Sequence, residues 1–171
     1  MSLFNNIPED SLLLNRSDPK ELLGSFSPHS FFLDGHTWPT AEHYYQAMKF
    51  TDTEYQELIR NAPSAEKARR LGHRWFKRKR EDYNKVRITL MTRAIYTKCR
   101  TYPKIAQTLI DTGEQFIAER SFSDYFWGCG RDGRGDNHYG RVLMNIRSRL
   151  IQEREDTAST RSVASPKQPL H

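Results

Sequence analysis

The sequence predicts an α+β fold, a single compact domain that is mostly helical and carries a small β-sheet. Hydrophobic residues recur at helical spacing along most of the chain, whereas the stretches with strand character are few and short. The length of 171 residues fits one domain that buries a core of its own. Only 36% of the residues are hydrophobic, so we expect much of this core to come from eight Tyr, nine Phe and three Trp.

Two strand regions are predicted before the first helix. Residues 12–14, three consecutive leucines, have the character of a short strand, and residues 30–33 form a second candidate. The dipeptide Asp34-Gly35 is a strong two-residue turn signal, so residues 30–38 are predicted to form a hairpin.

A helix is predicted from Ala41, because Pro39 and Thr40 are residue types that favour helix starts. Its apolar face has the spacing i, i+3, i+4 and i+7 and consists of Ala41, Tyr44, Tyr45 and Met48. A polar stripe beside this face consists of Glu42, Gln46 and Lys49. Such a stripe is usually a solvated helix face. Glu42 nevertheless lies in the first turn, where the helix dipole favours an ionised carboxylate that can act as a base or as a cap.

The rest of the chain alternates between helical patterns and breaks. Helices are predicted at 53–60, 64–71, 83–98, 103–110 and from near Gly140 to Leu150, and a short strand at 115–120. We expect residues 22–154 to form the domain and residues 1–21 an N-terminal extension. Residues 155–171 are rich in Ser, Thr and Pro and are predicted to be a disordered tail.

A loop from Phe126 to Gly140 holds five of the nine glycines. Gly128, Gly130 and Gly133 match the G-x-G-x-x-G pattern, but no helix opens inside the pattern and no βαβ unit surrounds it. A Rossmann dinucleotide site is therefore excluded. Either the loop is a flexible surface turn, or its bare backbone approaches a ligand such as an anion.

Residues 73–80 are the densest basic cluster of the chain, built around Trp75 and Phe76. The aromatic rings could stack on nucleic-acid bases, although a solvated run beside a helix explains the cluster equally well. The net charge of +6 and the pI near 9.4 suit anionic partners such as nucleotides, phosphosugars or nucleic acid.

Other functional classes find no support in the sequence. The six histidines and two cysteines show no metal-ligand spacing, so we expect neither a metal nor another cofactor. A serine-hydrolase elbow, a secretory signal and a membrane-spanning apolar run are not found in the sequence. We expect a cytoplasmic monomer, or a nuclear one in a eukaryote.

Several ordered motifs resemble those of the YbiA-like, or NADAR (NAD and ADP-ribose associated), family. The matching segments are residues 34–50 (DGHTWPTAEHYYQAMKF), 80–91, 112–119, 124–128 with the glycines that follow, Asn137, Gly140 and 143–147. Together the resemblance covers residues 22–151, and its two end motifs are long and correctly spaced.

This resemblance implies a mostly helical α+β enzyme that cleaves the N-glycosidic bond between ribose C1′ and a nitrogen. Two substrate groups are implied: ADP-ribosylated guanine in nucleic acid or nucleotides, which we favour, and ribosylamino-pyrimidine phosphates of riboflavin biosynthesis. The non-enzymatic alternatives are a binding module for ADP-ribose or NAD, and a general nucleic-acid binder that uses residues 73–80.

The resemblance also implies residues of the site. Glu42 would stabilise an oxocarbenium-like cation or activate water, and Asp124 would hold the ribose or assist. Lys49 would form a Schiff base with the opened sugar or pair with a phosphate. The residues implied to bind the substrate are Trp38, Gln46, Arg80, Tyr83, Glu119, Trp127, Gly128, Gly130, Gly135 and Asn137.

Three positions depart from the family pattern. Tyr83 stands where many members carry Trp, Ser25 where Asn is usual, and Cys129 where an Asp is common in the bacterial form. We expect these changes to affect the riboflavin-pathway substrate more than the type of bond that is cleaved.

Overall fold

Helices make up most of the computed structural model, which describes residues 7–164. The helices are α1 Ala41–Ala47, α2 Thr53–Arg60, α3 Ala65–Gly72, α4 Tyr83–Thr101, α5 Pro103–Asp111 and α6 His138–Ala164. The strands are β1 Leu12–Leu14, β2 Phe31–Leu33, β3 His36–Trp38 and β4 Ile117–Glu119. The predicted α+β class is confirmed, and within this range the strands form two separate two-stranded sheets. None of the described helices is long and apolar enough to cross a membrane.

The hairpin predicted for residues 30–38 is present as the antiparallel pair β2–β3, with Phe31 opposite Trp38. Asp34 and Gly35 both have positive φ, 51° and 80°, as a tight two-residue turn of this kind requires. Trp38 is buried, and its indole nitrogen donates a hydrogen bond to the carbonyl oxygen of Leu33 at 2.9 Å. This bond fixes the side chain of Trp38 against the hairpin, directly before α1.

Strands β1 and β4 pair in parallel, with Leu12 opposite Ile117 and Leu14 opposite Glu119. Because parallel strands point the same way, the residues that follow both strands emerge at the same edge of the sheet. Arg16 therefore lies close to the segment that follows Glu119. Residues 1–21 were predicted to be an extension of the domain, but β1 is one of its strands and Arg16 is buried within it.

Side-chain N-caps mark the starts of the three short helices α1, α2 and α3. Thr40, Asp52 and Ser64 each accept a hydrogen bond from the backbone amide three residues further on, which caps α1, α2 and α3. All seven residues of α1 are buried, because the helix packs against α2, α3 and α4. The polar stripe of α1 therefore faces the protein interior instead of solvent, which the spacing of its residues could not show.

Helix α6 extends well beyond the last residue of the predicted domain. It runs to Ala164, so the prediction of a disordered tail from residue 155 is wrong for residues 155–164. Exposed side-chain contacts at helical spacing occur in this part, such as the hydrogen bond from Gln152 to Asp156 at 2.9 Å. The remainder of the predicted tail lies outside the described residues.

A buried lysine ties α4 to the loop that precedes the hairpin. The Lys98 ammonium donates hydrogen bonds to the carbonyl oxygens of Leu22 and Gly24 and to the hydroxyl of Ser27, at 2.7–2.9 Å. Burial lowers the pKa of Lys98 to about 8. Because these three acceptors lie on both sides of Ser25, Lys98 fixes the loop that brings Ser25 to α1.

Candidate active site

Glu42 lies at the centre of the candidate site, in the first turn of α1, and its side chain is fully buried. Each carboxylate oxygen accepts two hydrogen bonds. Oε1 receives them from Nε2 of Gln46 at 2.6 Å and Nε of Arg69 at 3.2 Å. Oε2 receives them from Oγ of Ser25 at 2.8 Å and Nη1 of Arg16 at 3.3 Å. A buried carboxylate with this many donors is held in one position.

Two guanidinium groups determine the charge of Glu42. Burial alone would raise the pKa of this carboxyl group, but the charges of Arg16 and Arg69, together with the hydrogen bonds from Gln46 and Ser25, outweigh burial and lower the pKa to about 2. Glu42 is therefore an anion at every physiological pH. Such a group is a poor proton acceptor and a good fixed negative charge.

Arg16 joins the two carboxylates that the sequence proposes for catalysis. Besides its bond to Glu42, it donates from Nη2 to Oδ2 of Asp124 at 3.0 Å. Its Nε atom is buried without a hydrogen-bond partner among the described residues. Asp124 is held from its other oxygen, which accepts hydrogen bonds from the backbone amides of Phe126 and Trp127. Glu42, Arg16 and Asp124 thus form one connected group.

Lys49 follows the end of α1 and has an unusual environment for a lysine. It is buried, and its Nζ atom makes no hydrogen bond or ion pair with the described part of the chain. Instead, Nζ lies 5.1 Å from the ring centre of Tyr45 and 5.6 Å from that of Tyr83. Burial lowers the pKa of Lys49 to about 7, although the charge of Glu42 opposes this shift. A large fraction of the amine is therefore unprotonated near neutral pH.

Three aromatic residues line the neighbourhood of Lys49. Trp127 packs edge-to-face on Tyr45, with ring centres 5.4 Å apart, and the hydroxyls of Tyr45 and Tyr83 are 2.5 Å apart. Trp38, also predicted to contact the substrate, packs instead on Tyr44 beside the hairpin. The structure thus brings Tyr83 and Trp127 to the site and places Trp38 in the core next to it.

Glu119 and Asn137 join the glycine loop to β4. The Glu119 carboxylate accepts hydrogen bonds from the backbone amides of Arg16 and Ser121, and burial raises its pKa. A β-carbon on Gly128 would lie 2.3 Å from this carboxylate, so only glycine fits there. The amide group of Asn137 bonds the backbone of β4 at both ends, at Glu119 N and Ile117 O. Both side chains predicted to bind substrate thus have partners within the protein.

The other two glycines of the predicted site have packing reasons of their own. Gly130 has a φ of 67°, and a β-carbon there would lie 2.4 Å from the Tyr125 ring. A β-carbon on Gly135 would lie 2.2 Å from the carbonyl oxygen of Gly128. The loop is therefore folded tightly upon itself, which differs from both the flexible turn and the open anion cradle considered from the sequence.

Two more residues were predicted to bind substrate. Arg80 lies at the edge of the site and Gln46 in its centre. The Arg80 side chain pairs with Asp82, while its backbone amide donates to the carbonyl oxygen of Lys49 at 2.8 Å. Gln46 donates to Glu42, and its own Oε1 is buried without a partner among the described residues. The site thus holds two buried polar atoms without a partner among the described residues, this acceptor and the Nε donor of Arg16.

Sequence reasoning missed Arg16 and Arg69, which supply the charge around Glu42. Arg16 lies in a segment with no regular pattern, and Arg69 is one of two adjacent arginines in α3, so residue spacing gave no signal. Arg69 also donates to the hydroxyl of Ser17 at 2.8 Å and lies over the ring of Phe26. Ser25 was noted only as a departure from the family pattern, yet it contacts Glu42 directly.

Replacing Gly72 with alanine should displace Gln46 from Glu42. A β-carbon at position 72 would lie 1.9 Å from Oε1 of Gln46, and the site is buried, so the side chain has little room to move. We expect a loss of stability of about 1–3 kcal/mol and slower turnover, measured by chemical denaturation and by a rate assay. A Gln46→Ala background removes Oε1 and Cδ, the two nearest atoms, and leaves only the 2.9 Å approach to Cβ of residue 46, so the same change should cost less there. Equal costs in both backgrounds would contradict this account of Gly72.

No group of three or more His, Cys, Asp or Glu side chains arranged to hold a metal occurs within residues 7–164. The charged groups of the site include the carboxylates of Glu42 and Asp124, two arginines and a lysine of lowered pKa. These groups can hold a phosphate-bearing ligand and stabilise a cation, and an unprotonated amine can attack carbon.

Comparisons with known proteins identify relatives of this chain. A family profile described as NADAR domain matches residues 5–151. An N-glycosidase of Nostoc punctiforme is 36% identical over 135 residues, which cover 77% of this chain and 86% of that protein. A riboflavin biosynthesis protein of Vibrio vulnificus is also 36% identical, over 147 residues; they cover 85% of this chain but only 40% of that protein. The NMR structure of Escherichia coli YbiA superposes with a TM-score of 0.76 at 31% identity, covering 90% of this chain and 92% of that one.

Proposed function

The chain belongs to the NADAR domain family, and from this premise we propose that it is an N-glycosidase that releases ADP-ribose from guanine, in nucleic acid or in a nucleotide. The bond cleaved is the one between ribose C1′ and the nitrogen of the base. The observation that carries cleavage of this bond is the position of Lys49, a buried amine of lowered pKa, near Glu42, a buried anion.

Glu42 acts electrostatically in this reaction. Breaking the bond at C1′ develops positive charge on the ribose, and a fixed carboxylate nearby lowers the energy of that state without having to reorganise. The very low pKa of Glu42 argues against a second role as a general base that activates water. Of the two roles that the family resemblance implies, stabilisation of the cation is the one we assign.

Lys49 acts as the nucleophile. Its unprotonated amine forms a bond to C1′ while the bond from C1′ to the base breaks and the leaving nitrogen takes up a proton. The adduct loses a proton from nitrogen and opens the ribose ring, with the ring oxygen protonated, to give a Schiff base. Water then adds to the Schiff base and releases the sugar aldehyde and free Lys49, so that the net reaction is hydrolysis.

Two arginines suit a substrate with a diphosphate. Arg69 is partly exposed. Its Nε donates to Glu42 and its Nη2 to Ser17, whereas its Nη1 makes no hydrogen bond to the described residues. Together with Arg16 it offers donors beside the place where the ribose would lie. The two guanidinium groups favour a ligand with more than one negative charge, as ADP-ribose has.

A second candidate substrate is a ribosylamino-pyrimidine phosphate of riboflavin biosynthesis. The name of the Vibrio vulnificus relative favours it, and the reaction breaks the same kind of bond. The fixed anion and the nucleophilic amine would serve both substrates equally, so the choice depends on the residues that contact the base and the phosphates. Tyr83 and Ser25, which depart from the family pattern, are two of the residues at the site.

Parallel turnover of the two substrates tests the proposal. The purified chain is incubated with ADP-ribosylated guanosine nucleotide and, separately, with the ribosylamino-pyrimidine phosphate, and released base and sugar are quantified by chromatography with mass detection. We expect faster release from the ADP-ribosylated substrate. Faster release from the pyrimidine would favour the second candidate, and binding of ADP-ribose with no product from either substrate would favour a binding module.

A further inference from the structure

An exposed aromatic pair lies outside the candidate site and has no role in it. Trp75 and Phe76 occupy the segment between α3 and α4, here called the basic loop and defined as residues 73–82. Trp75 is 92% exposed and Phe76 58%, and their rings meet edge-to-face with centres 5.9 Å apart. Exposing a whole indole to water forgoes its burial energy, so a ring in this position is available to a partner.

The basic loop surrounds this pair with positive charge. Its cationic residues are Arg74, Lys77, Arg78, Lys79 and Arg80. Three of them form ion pairs, with Asp52, Glu81 and Asp82. The pair between Arg78 and Glu81 is almost fully exposed on both sides and is therefore weak. Arg74 and Lys79 have no ion-pair partner among the described residues, so the loop keeps a surplus of positive charge.

The basic loop is continuous with the candidate site. The backbone amide of Arg80 donates to the carbonyl oxygen of Lys49. Lys79 Nζ lies 5.1 Å from the centre of the Tyr83 ring, the same ring that neighbours Lys49 Nζ. A cleft of about 710 Å³ runs along the loop and is lined by residues 50–52 and 77–82. A long ligand bound on this loop would thus lie next to the segment that carries Lys49.

We propose that the basic loop binds single-stranded nucleic acid, with bases stacked on Trp75 and Phe76 and phosphates held by the neighbouring Lys and Arg side chains. Exposed aromatic rings among cations are the arrangement that proteins use for unpaired strands, because every base offers a flat face and every nucleotide a phosphate. A duplex hides the faces of its bases and fits this surface less well. Aromatic and Arg side chains are also enriched at protein–protein interfaces, so it is the surplus of positive charge, which suits a polyanion, that favours nucleic acid here.

The strand would carry its modified nucleotide along the loop toward Lys49. This part of the proposal rests on the proposed function, and it names single-stranded nucleic acid as the substrate class. Binding of an unmodified strand does not depend on the proposed function and can be measured separately.

Fluorescence polarisation with labelled, unmodified 12-nucleotide probes tests strand binding. The probes are oligo-dT, oligo-rU and a DNA duplex, and the full chain is titrated at several salt concentrations. We expect both single strands to bind more tightly than the duplex, with affinity that falls as salt rises. A Trp75→Ala/Phe76→Ala variant should bind the single strands about tenfold or more weakly, given a stacking contribution of about 1–3 kcal/mol per base.

Matched controls come from elsewhere on the surface. Phe32→Ala removes a ring of similar exposure, 66%, from the hairpin and should leave binding unchanged. Arg74→Gln should weaken binding and reduce its salt dependence, whereas Lys104→Gln, an exposed change on α5 of the same charge, should not.

Several results would overturn the proposal. These are no binding of either single strand by the unaltered chain, equal affinity for the duplex, or unchanged affinity in the Trp75→Ala/Phe76→Ala variant. A change in oligomeric mass of that variant without an effect on strand binding would instead assign the rings to a protein interface. A difference between oligo-dT and oligo-rU shows whether the loop prefers the DNA or the RNA probe, and supports the proposal in either direction.

Turnover of a mononucleotide separates this proposal from the proposed function. The Trp75→Ala/Phe76→Ala variant should process ADP-ribosylated guanosine nucleotide as the unaltered chain does, and should lose rate only on a modified oligonucleotide. Strand binding without any mononucleotide turnover would mean that the proposed function fails while the strand surface remains. Equal rates of the variant and the unaltered chain on the modified oligonucleotide would mean that the strand surface fails while the proposed function remains.

Discussion

Replacing Lys49 with methionine should abolish turnover and also make the protein more stable. Methionine keeps the length and the apolar stem of the side chain but has no amine to attack C1′. Since burial lowers the pKa of Lys49 to about 7, the folded protein at neutral pH holds an amine that would bind a proton readily in the unfolded chain. By linkage this shift corresponds to about 5 kcal/mol of lost stability below pH 7. Thermal unfolding at pH 7 should therefore show a higher Tm for Lys49→Met.

The gain in stability should shrink as the pH rises. The folded pKa is about 7 and the ordinary value is 10.5, so between these values the unfolded chain binds the additional proton and stability rises with pH. Lys49→Met lacks this titration, and the two proteins should converge toward pH 10.5. A constant difference in Tm between pH 7 and pH 10 would contradict the assigned pKa.

Borohydride reduction during turnover should trap a covalent adduct on Lys49. Reduction of the Schiff base leaves the sugar attached to the lysine, and peptide mass mapping identifies the position. Lys98, the second buried lysine, has its ammonium held by three acceptors and should carry no adduct, which makes it an internal control. Turnover at full rate without any trapped adduct would favour direct attack by water, with Lys49 bound to a phosphate.

The rate should follow the protonation of Lys49. Only the neutral amine attacks, so kcat should rise about tenfold per pH unit well below pH 7 and level off above pH 8. The very low pKa of Glu42 keeps this carboxylate ionised throughout, and it adds no step to the profile in this range. A profile that falls between pH 6 and pH 8 would contradict a nucleophilic Lys49.

Replacing Glu42 with glutamine should lower kcat by about 10²–10³-fold, because it removes the charge that we propose to stabilise the ribose cation. The variant should also be less stable, by about 3 kcal/mol or more. In either orientation, the NH2 group of the new glutamine would face two groups that now donate hydrogen bonds to Glu42. These are Gln46 and Arg69 on one side, and Ser25 and Arg16 on the other. Single-turnover rates measured well below the Tm separate the chemical effect from the loss of stability.

Asp124→Asn is the matched control for Glu42→Gln. Asp124 shares Arg16 with Glu42 but is partly exposed, with 25% of its side chain accessible, so solvent replaces much of the lost interaction. We expect a clearly smaller effect on both rate and stability. Full activity of Glu42→Gln, or an equal loss from Asp124→Asn, would remove the central role of Glu42.

Acid unfolding offers an independent measure of the stabilisation that the charge of Glu42 provides. The folded pKa of Glu42 lies below its ordinary value, so its contribution to stability is complete above about pH 4.5 and is lost as the pH falls toward 2. The Glu42→Gln variant should lack this part of the acid transition.

Local patterns predicted most of the secondary structure because its determinants are short-range. The turn at Asp34-Gly35 and the cap at Thr40 depend on residues next to each other, and both are where the sequence indicates. The continuation of α6 was missed because composition alone suggested a tail. Single side-chain contacts, such as that between Gln152 and Asp156, do not show in composition.

The candidate site was predicted only in part. Lys49 and Glu42 belong to a long motif that the family resemblance supplies, but the reason for their chemistry lies in burial, which spacing does not reveal. Arg16 and Arg69 approach Glu42 from segments 26 and 27 residues away along the chain, and neither lies in a recognisable motif. Long-range ion pairs of this kind depend on the tertiary fold.

The bond between Arg16 and Asp124 joins residues 108 positions apart, and it depends on the pairing of β1 with β4. Contacts at such a distance along the chain close late in folding, because the entropy of the long intervening loop must be overcome first. A chain still emerging from the ribosome can therefore form its first helices before the candidate site is assembled. The ion pairs around Glu42 can therefore be completed only after the polypeptide has been synthesised past β4 and Asp124.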